Sequence, residues 1–395
     1  MVELSFTAEQ EQFRQEARAW LRANVPTEPR PEGGPEMVRF DRDWQRRQYD
    51  AGWAGISWPT EYGGRGLSLV EQLIWFEEYA LAGGPKLGLN LIGLSHAGPT
   101  LIACASEEQK RRYLPAILRG DAFWCQGFSE PDAGSDLGSL RTSARIEGDE
   151  LVVNGQKVWT GYAQYADHQE LLVRTSTDGP KYDGISWVVC DMNTPGIEVR
   201  PIRTMEGGTH FCEVFYHDVR IPLANVVGGL GRGWRVAMAN LGFERATALT
   251  AAQLDLAETV RELVAAARGR PGRRGGSLLT DDDVVRRRLA LASARVAGLR
   301  ALTYGTVSRL LRDPVPGPEG SMVRLYFTRL VQEVQRLGVD LLGPAAATYT
   351  TRDRRGRSWA REYLLSFKET ISGGTKDIQR NTIARRVLGL PKGAA

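Results

Sequence analysis

Two changes of hydrophobic period divide this chain and limit its fold more than any other feature. Up to about Asp121 the apolar residues recur at helical spacing. From about Ala122 they alternate or gather in short β-rich runs, and from Trp234 the helical period returns and stays. A helical period buries one stripe of a helix, whereas strict alternation buries one face of a strand. The order therefore predicts an α+β chain in three parts: a helical domain over 1–121, an antiparallel β domain over 122–232 and a helical bundle over 233–395. A chain of 395 residues has room for two or three cores of ordinary size.

Local signals place the elements. Thr7 with Gln10, Ser68 with Glu71 and Ser106 with Gln109 each have the spacing of a capping box, in which two orphan backbone N–H groups of a first helical turn are satisfied reciprocally. A further helix is expected over Asp41 to Asp50, and residues 26–36, PTEPRPEGGPE, read as a connection without regular structure. In ELVVNGQKVW, Asn154-Gly155 lies between two β-prone arms and predicts a hairpin turn. LLVRT, ISWVVCDM, IEVRPI and EVFYHDVRIP continue as strands. Beyond Trp234 a long helical pattern is broken by Gly242. Thr280 is expected to cap the next helix, Ser321 to Val339 to form another, and the regions around Trp359 and Ile378 a last pair, giving about four helices of a bundle.

A net charge of +4, interspersed along the chain, gives no footprint for nucleic acid. Cys104, Cys125, Cys190 and Cys212 lie far apart with no CxxC, so neither a zinc site nor a disulfide framework is indicated, and buried thiols in a reducing cytoplasm are expected. His96, His168, His210 and His217 are equally scattered and are expected to be structural or exposed. No basic leader followed by an apolar run opens the sequence, and no segment approaches a membrane span. The expectation is a cytoplasmic protein with no metal.

One stretch carries chemistry. Trp124 to Tyr162, WCQGFSEPDAGSDLGSLRTSARIEGDELVVNGQKVWTGY, joins a turn rich in Ser, Gly and acidic residues to β-prone arms and ends beside a Trp. Phe128, Ser129, Gly134 and Ser135 offer hydroxyls and approachable backbone amides, which suit a polar or phosphorylated ligand. The whole string resembles the signature of the acyl-CoA dehydrogenase family, a T/S-E-P-x-A-G-S-D turn followed by K-x-W. The resemblance extends to WPTEYGGRG, to FYHDVRIP and to the tail GGTKDIQRNTIARRVLGLP, and so covers nearly the whole chain.

The resemblance implies FAD and an acyl thioester, acyl-CoA or a carrier-protein ester, with an electron-transfer flavoprotein or similar acceptor. Such a reaction needs a base for the α-proton, a hydride acceptor and a stabiliser of enolate-like charge. By position, flavin contacts fall on Gln126, Gly127, Phe128, Ser129, Gly134, Ser135, Trp159, Thr160, Gly161, Thr375 and Asp377, with Trp159 backing the ring system and Ser129 at its polar edge. Ser135 also approaches the acyl-CoA. Many members carry a catalytic Glu before the G-T of the tail, but that place is Gly373 here. Other members place the base in an E-R pair after the sheet domain, which is Glu244-Arg245 in LGFERATAL. Glu244 is thus the expected base and Arg245 a substrate-placing residue. The backbone amides of Gly373 and Gly374 are expected at the thioester carbonyl.

Two family segments that reach a neighbouring subunit's flavin, R-x-x-F-G and Q-x-x-G-G-x-G, read VVRRRLALAS and VDLLGPAAAT here. Either a homo-oligomer, dimer or tetramer, with altered contacts or a heteromer with a related subunit is implied. Gly161, Gly242 and Gly373 remove side chains where relatives have larger ones, which suits a bulky, branched or ring-bearing acyl group. Two other readings of the same resemblance are a flavin monooxygenase or N-hydroxylase, which often lacks the Glu, and a non-catalytic partner subunit.

Overall fold

A computed structural model describes residues 6–243, 248–272, 277–313, 317–347 and 358–391. Six helices precede the strands: α1 (Ala8–Asn24), α2 (Gly34–Asp50), α3 (Leu69–Leu81), α4 (Asn90–Ile92), α5 (Gly98–Cys104) and α6 (Glu107–Arg119), with a turn of π-helix, Gly93–Ala97, between α4 and α5. The strands are β1 (Trp124–Gly127), β2 (Ser143–Glu147), β3 (Glu150–Gly161), β4 (His168–Arg174), β5 (Ile185–Asp191), β6 (Ile197–Ile202), β7 (Phe211–Pro222) and β8 (Val226–Val227). After them come α7 (Gly233–Phe243), α8 (Ala248–Arg268), α9 (Asp283–Arg312), α10 (Glu319–Leu342), α11 (Pro344–Ala347), α12 (Trp359–Leu365) and α13 (Lys376–Arg386). The α+β class is as the periods required. The three predicted capping boxes at Thr7, Ser68 and Ser106 are all formed.

The chain divides into two compact units that alternate along the sequence. One comprises residues 30–67 and 85–244, the other 1–29, 68–84 and 245–395. In the first, the sheet runs β6-β7-β3-β2-β4-β5-β8, with β1 added beside β4. The β1–β4 and β2–β4 pairings are parallel, so the sheet is mixed rather than purely antiparallel. Alternation along β4 and β5 makes two cores. Leu172, Trp187 and Val189 face a layer with Leu101, Leu114, Ile117, Val236 and Ala237 of the helices. Leu171, Val173, Val188 and Cys190 face the other way, onto Val153, Val214 and Tyr216. Cys125, Cys190 and Cys212 are buried free thiols, and burial pushes Cys190 up to about 12.

In the second unit the long helices repeat apolar residues at spacings of three and four, the signature of a helix burying one stripe. Leu256, Val260 and Leu263 of α8 meet Leu289, Ala292, Val296 and Leu299 of α9 and Val323, Phe327, Leu330, Val334 and Leu337 of α10. The helix α3 also packs on α8, so a helix from early in the chain joins the bundle. A buried charge network holds it there. Glu78 accepts a bidentate pair from Arg18 (2.8 and 2.9 Å) and a bond from Arg14 (3.0 Å), while Glu77 takes Arg14 (3.1 Å), Arg300 (2.6 Å) and the Tyr304 hydroxyl.

Three local expectations are corrected. Asn154-Gly155 is not a hairpin turn: it lies inside β3, and the turn falls at Gly148, where φ is +62° and Glu147 pairs with Glu150. The Asn-Gly pair instead makes a bulge against β7, where the register shifts between Val153 and Gly155. Asn154 exchanges bonds with Asp218 (2.9 and 3.0 Å), and a Cβ on Gly155 would stand 2.7 Å from the Thr142 backbone. The helix α2 starts at Gly34, inside the stretch expected to be irregular, because Pro35 suits a first helical turn. The cap of α9 is Asp282, which accepts from Val284 N at 2.8 Å, and Thr280 sits in a preceding short 3₁₀ turn. Among the described residues no helix is long and apolar enough to cross a membrane.

Candidate functional site

The strand β1 leads directly into the SEPDAGSD turn, and a buried ion pair sets the shape of that turn. Lys157, on β3, is fully buried; its Nζ donates to the Phe128 carbonyl (3.1 Å) and to Glu130 Oε1 (2.8 Å). The same oxygen also accepts from the backbone N–H of Thr142 (2.8 Å), and Glu130 Oε2 accepts from that of Arg141 (2.6 Å). Glu130 and Ala133 exchange backbone bonds of 3.1 Å, closing the turn. Val158 N donates to the Ser129 carbonyl at 2.9 Å, which sews the turn to the strand that carries Trp159.

Burial drives Lys157 down to about 8 against the opposing pull of Glu130. Burial alone would raise the Glu130 carboxyl, but Lys157 and the two backbone donors hold it below its ordinary value. Both directions leave the pair ionised near neutrality. Neither residue was singled out from the sequence. No local signal marks them, since only the fold brings together two charged residues 27 positions apart.

Immediately after Lys157 the β3–β7 register shifts again, between Lys157 and Thr160. Trp159 takes φ = +61°, a left-handed conformation rare for a bulky residue. A bulge of this kind re-aims a side chain, and Trp159 is turned outward with 58% exposure, its ring edge-on to Phe211 at 6.0 Å. It is therefore not a core aromatic. Thr160 is buried beside it, with its hydroxyl lacking a hydrogen-bond partner among the described residues. Gly161 and Gly134 have open space where a Cβ would stand, Ser129 is half-buried and Ser135 is exposed.

The first residues of the stretch face inward. Phe128 belongs to the sheet–helix core, and a Cβ on Gly127 would lie 2.6 Å from the Gln169 side chain, so glycine there permits close packing. The Gln126 amide is bound to Glu170 (2.7 Å) and lies 3.3 Å from His96 Nδ1. These three residues can meet a ligand through backbone rather than side chain.

The tail residues belong to the helical unit. Thr375 caps α13 by accepting from Ile378 N at 3.3 Å, and Asp377 stands exposed in the first turn, paired with Arg380 at 3.0 Å. Gly373 and Gly374 have φ of +60° and +91°, and Gln379 Nε2 donates to both carbonyls, at 3.1 and 3.3 Å. Arg324 donates to the Ser372 carbonyl. The two glycine peptide planes are thus held from behind. Glu244 and Arg245 lie outside the described residues. The structure brings the 126–135 and 159–161 groups together in one unit and the 373–377 group together in the other.

Comparison with known proteins finds one family along nearly the whole chain. Family models match residues 7–121 as the acyl-CoA dehydrogenase N-terminal domain, 125–219 as its middle domain and 231–388 as its C-terminal domain. The acyl-CoA dehydrogenase IpdE1 of Mycobacterium tuberculosis is 38% identical over 97% of this chain and 98% of its own length. FadE26 of the same organism, also an acyl-CoA dehydrogenase, is 34% identical over 99% of each chain. Among solved structures, the Tcur3481-Tcur3483 steroid ACAD superposes with a TM-score of 0.86 at 31% identity, covering 99% of this chain and 100% of that one. The ChsE4-ChsE5 complex from Mycobacterium tuberculosis gives 0.84 at 33% identity, with the same coverage. The chain belongs to the acyl-CoA dehydrogenase family of oxidoreductases.

Proposed function

We propose that this chain oxidises an acyl thioester at its α,β-carbons with FAD as cofactor and Glu244 as the base. The observation that carries the reading is the clamped turn beside an outward-turned tryptophan. Trp159 offers a flat apolar face, Ser129 and Ser135 offer hydroxyls, and Gly134 and Gly161 leave open backbone, a donor set that fits a large planar group with polar edges. When bound, the flavin supplies the hydride acceptor and a route for electrons to an electron-transfer flavoprotein or a similar acceptor. Gln126, Gly127, Phe128 and Thr160 contribute through backbone and shape, and Thr375 and Asp377 contribute from the start of α13.

The remaining steps belong to the chain's own groups. Glu244 removes the α-proton, and Arg245 next to it in sequence places the substrate and keeps the carboxylate ionised. Gly373 cannot serve as base, but its amide, in the peptide that Arg324 holds by the Ser372 carbonyl, and the Gly374 amide, in the peptide that Gln379 holds by the Gly373 carbonyl, would donate to the thioester carbonyl, whose oxygen gains charge as the proton leaves. Ser135 meets the thioester arm. The names of the relatives suggest a ring-bearing acyl group and assembly with a related subunit, and the altered VVRRRLALAS and VDLLGPAAAT segments support the second point.

Anaerobic addition of an acyl-CoA panel, straight-chain through ring-bearing, tests the reading by flavin absorbance. Bleaching by at least one thioester is expected, with ring-bearing acyl groups ahead. An absence of bleaching by the whole panel would count against it. Flavin-to-protein stoichiometry on the lone chain separates the assemblies: less than one flavin per chain is expected if a partner completes the site.

A further inference from the structure

We propose that a buried polar cluster of His96, Gln126, Glu170 and Asn240 is a specificity subsite that recognises a hydroxyl group on the acyl portion of the substrate. The inference rests on the dehydrogenase reading above and deepens it.

The cluster sits where the fold calls for apolar packing. Gln126 and Glu170 are register partners on β1 and β4, on the sheet face that also carries Trp124, Phe128 and Leu172. Around them Leu101, Ile117, Trp187 and Ala237 make an apolar layer between sheet and helices. Into that layer four elements send polar groups: the π-turn gives His96, β1 Gln126, β4 Glu170 and α7 Asn240. Glu170 is fully buried, and its two oxygens accept from Gln126 Nε2 and Asn240 Nδ2, both at 2.7 Å. His96 Nδ1 lies 3.8 Å from Glu170 Oε1.

A carboxylate in such a place is expensive, and apolar replacement of buried ionic groups is commonly neutral or stabilising. Stability is therefore a poor reason for its presence. Asn240 sharpens the point. Its donation to Glu170 fixes which way the amide faces, so Oδ1 must point away as an acceptor, yet Asn240 is fully buried and Oδ1 has no hydrogen-bond partner among the described residues. An orphan buried acceptor is costly unless a donor arrives. A substrate hydroxyl is such a donor, and a hydrocarbon is not.

Glu170 and Asn240 are buried, while Gln126 is half-buried and the His96 side chain keeps 10% exposure, so the cluster reaches the surface of its unit at these two residues and a substrate group would enter past them. Gln126 is three residues before Ser129 on the same strand and turn. The π-turn that supplies His96 is a rare form of helix, frequent at functional sites.

The test uses the purified holoenzyme, with any subunit that co-purifies, and two probes: cyclohexylpropanoyl-CoA and its ring-hydroxylated counterpart. The wild type is expected to favour the hydroxylated thioester in kcat/KM by at least about tenfold, since a site built to bond a hydroxyl strongly rejects the analogue without it. Asn240→Leu should bring that ratio close to unity, mainly through KM for the hydroxylated probe. Asn240→Ser, smaller and polar, does the same if the leucine variant fails to fold. Equal efficiency for both probes in the wild type, or an undiminished ratio in the Asn240 variants, overturns the subsite and leaves the dehydrogenase reading standing. Failure of these and all straight-chain thioesters to bleach the flavin overturns both.

Discussion

Replacing Lys157 by Met should unlatch the SEPDAGSD turn, and the loss should depend on pH in a direction that the structure dictates. The methionine keeps the length and apolar stem but removes the ammonium from the Phe128 carbonyl and from Glu130. Glu130, nearly as buried as its partner, then keeps just the Arg141 and Thr142 backbone donors. Breaking a buried pair by removing one member typically costs about 3–5 kcal/mol, because the charge left behind is uncompensated. The two remaining donors place the expected cost near the lower end, about 3 kcal/mol.

The sign of the pH dependence follows. In the wild type the Glu130 carboxyl is held below its ordinary 4.5, so its contribution is present above 4.5 and is lost as pH falls through the folded value. In the variant burial dominates, the folded value rises above 4.5, and the protonated form is the one that the fold prefers. The stability deficit of Lys157→Met should therefore shrink as pH falls toward 4.5, while the wild type stays level. Adding Glu130→Gln to the lysine variant should restore at least half of the loss. Unfolding midpoints across this range, with flavin release followed in parallel, give the measurement. A deficit under about 1 kcal/mol, the size of an exposed pair, or one that does not change with pH, would refute the clamp.

Gly155→Ala must hold a side chain at φ = +149° with its Cβ 2.7 Å from the Thr142 backbone; a loss of about 2 kcal/mol or more in unfolding is expected, and a neutral effect would show that the bulge relaxes freely. Gly374→Ala combines φ = +91° with a Cβ 2.7 Å from Gln379 Nε2, a side-chain end that can move, so it should disturb the tail peptides and raise KM for thioester with a smaller loss of stability than Gly155→Ala. Glu78 is held below its ordinary 4.5, since burial, which raises it, is outweighed by Arg18 and Arg14. Its contribution is present above 4.5 and lost below, so Glu78→Gln should destabilise at neutral pH and lose less than the wild type on acidification, as thermal melts would report.

The legible parts of this molecule were the local ones. A capping box is complete within four residues, so Thr7, Ser68 and Ser106 announced their helices, and the switch of period announced the sheet. The Asn154-Gly155 reading failed because the same dipeptide that closes hairpins also suits a bulge. Which one forms is decided by Asp218 and Thr142, neither adjacent in sequence. The outward turn of Trp159 depends on the second register shift, which no local string announces. The Lys157–Glu130 pair and the four-residue cluster of His96, Gln126, Glu170 and Asn240 each join distant segments, and no window of sequence shows that they meet. The tail motif was readable as a string, while the role of Gln379 behind Gly373 and Gly374 was not.

The proposal that Glu244 is the base of a flavin-dependent thioester oxidation is tested most directly by setting wild type and Glu244→Gln side by side under anaerobic conditions with the same acyl-CoA. The wild type should bleach its flavin on mixing. The variant should carry as much flavin, bind the thioester and keep its yellow colour. Bleaching of the variant at the wild-type rate would contradict the account.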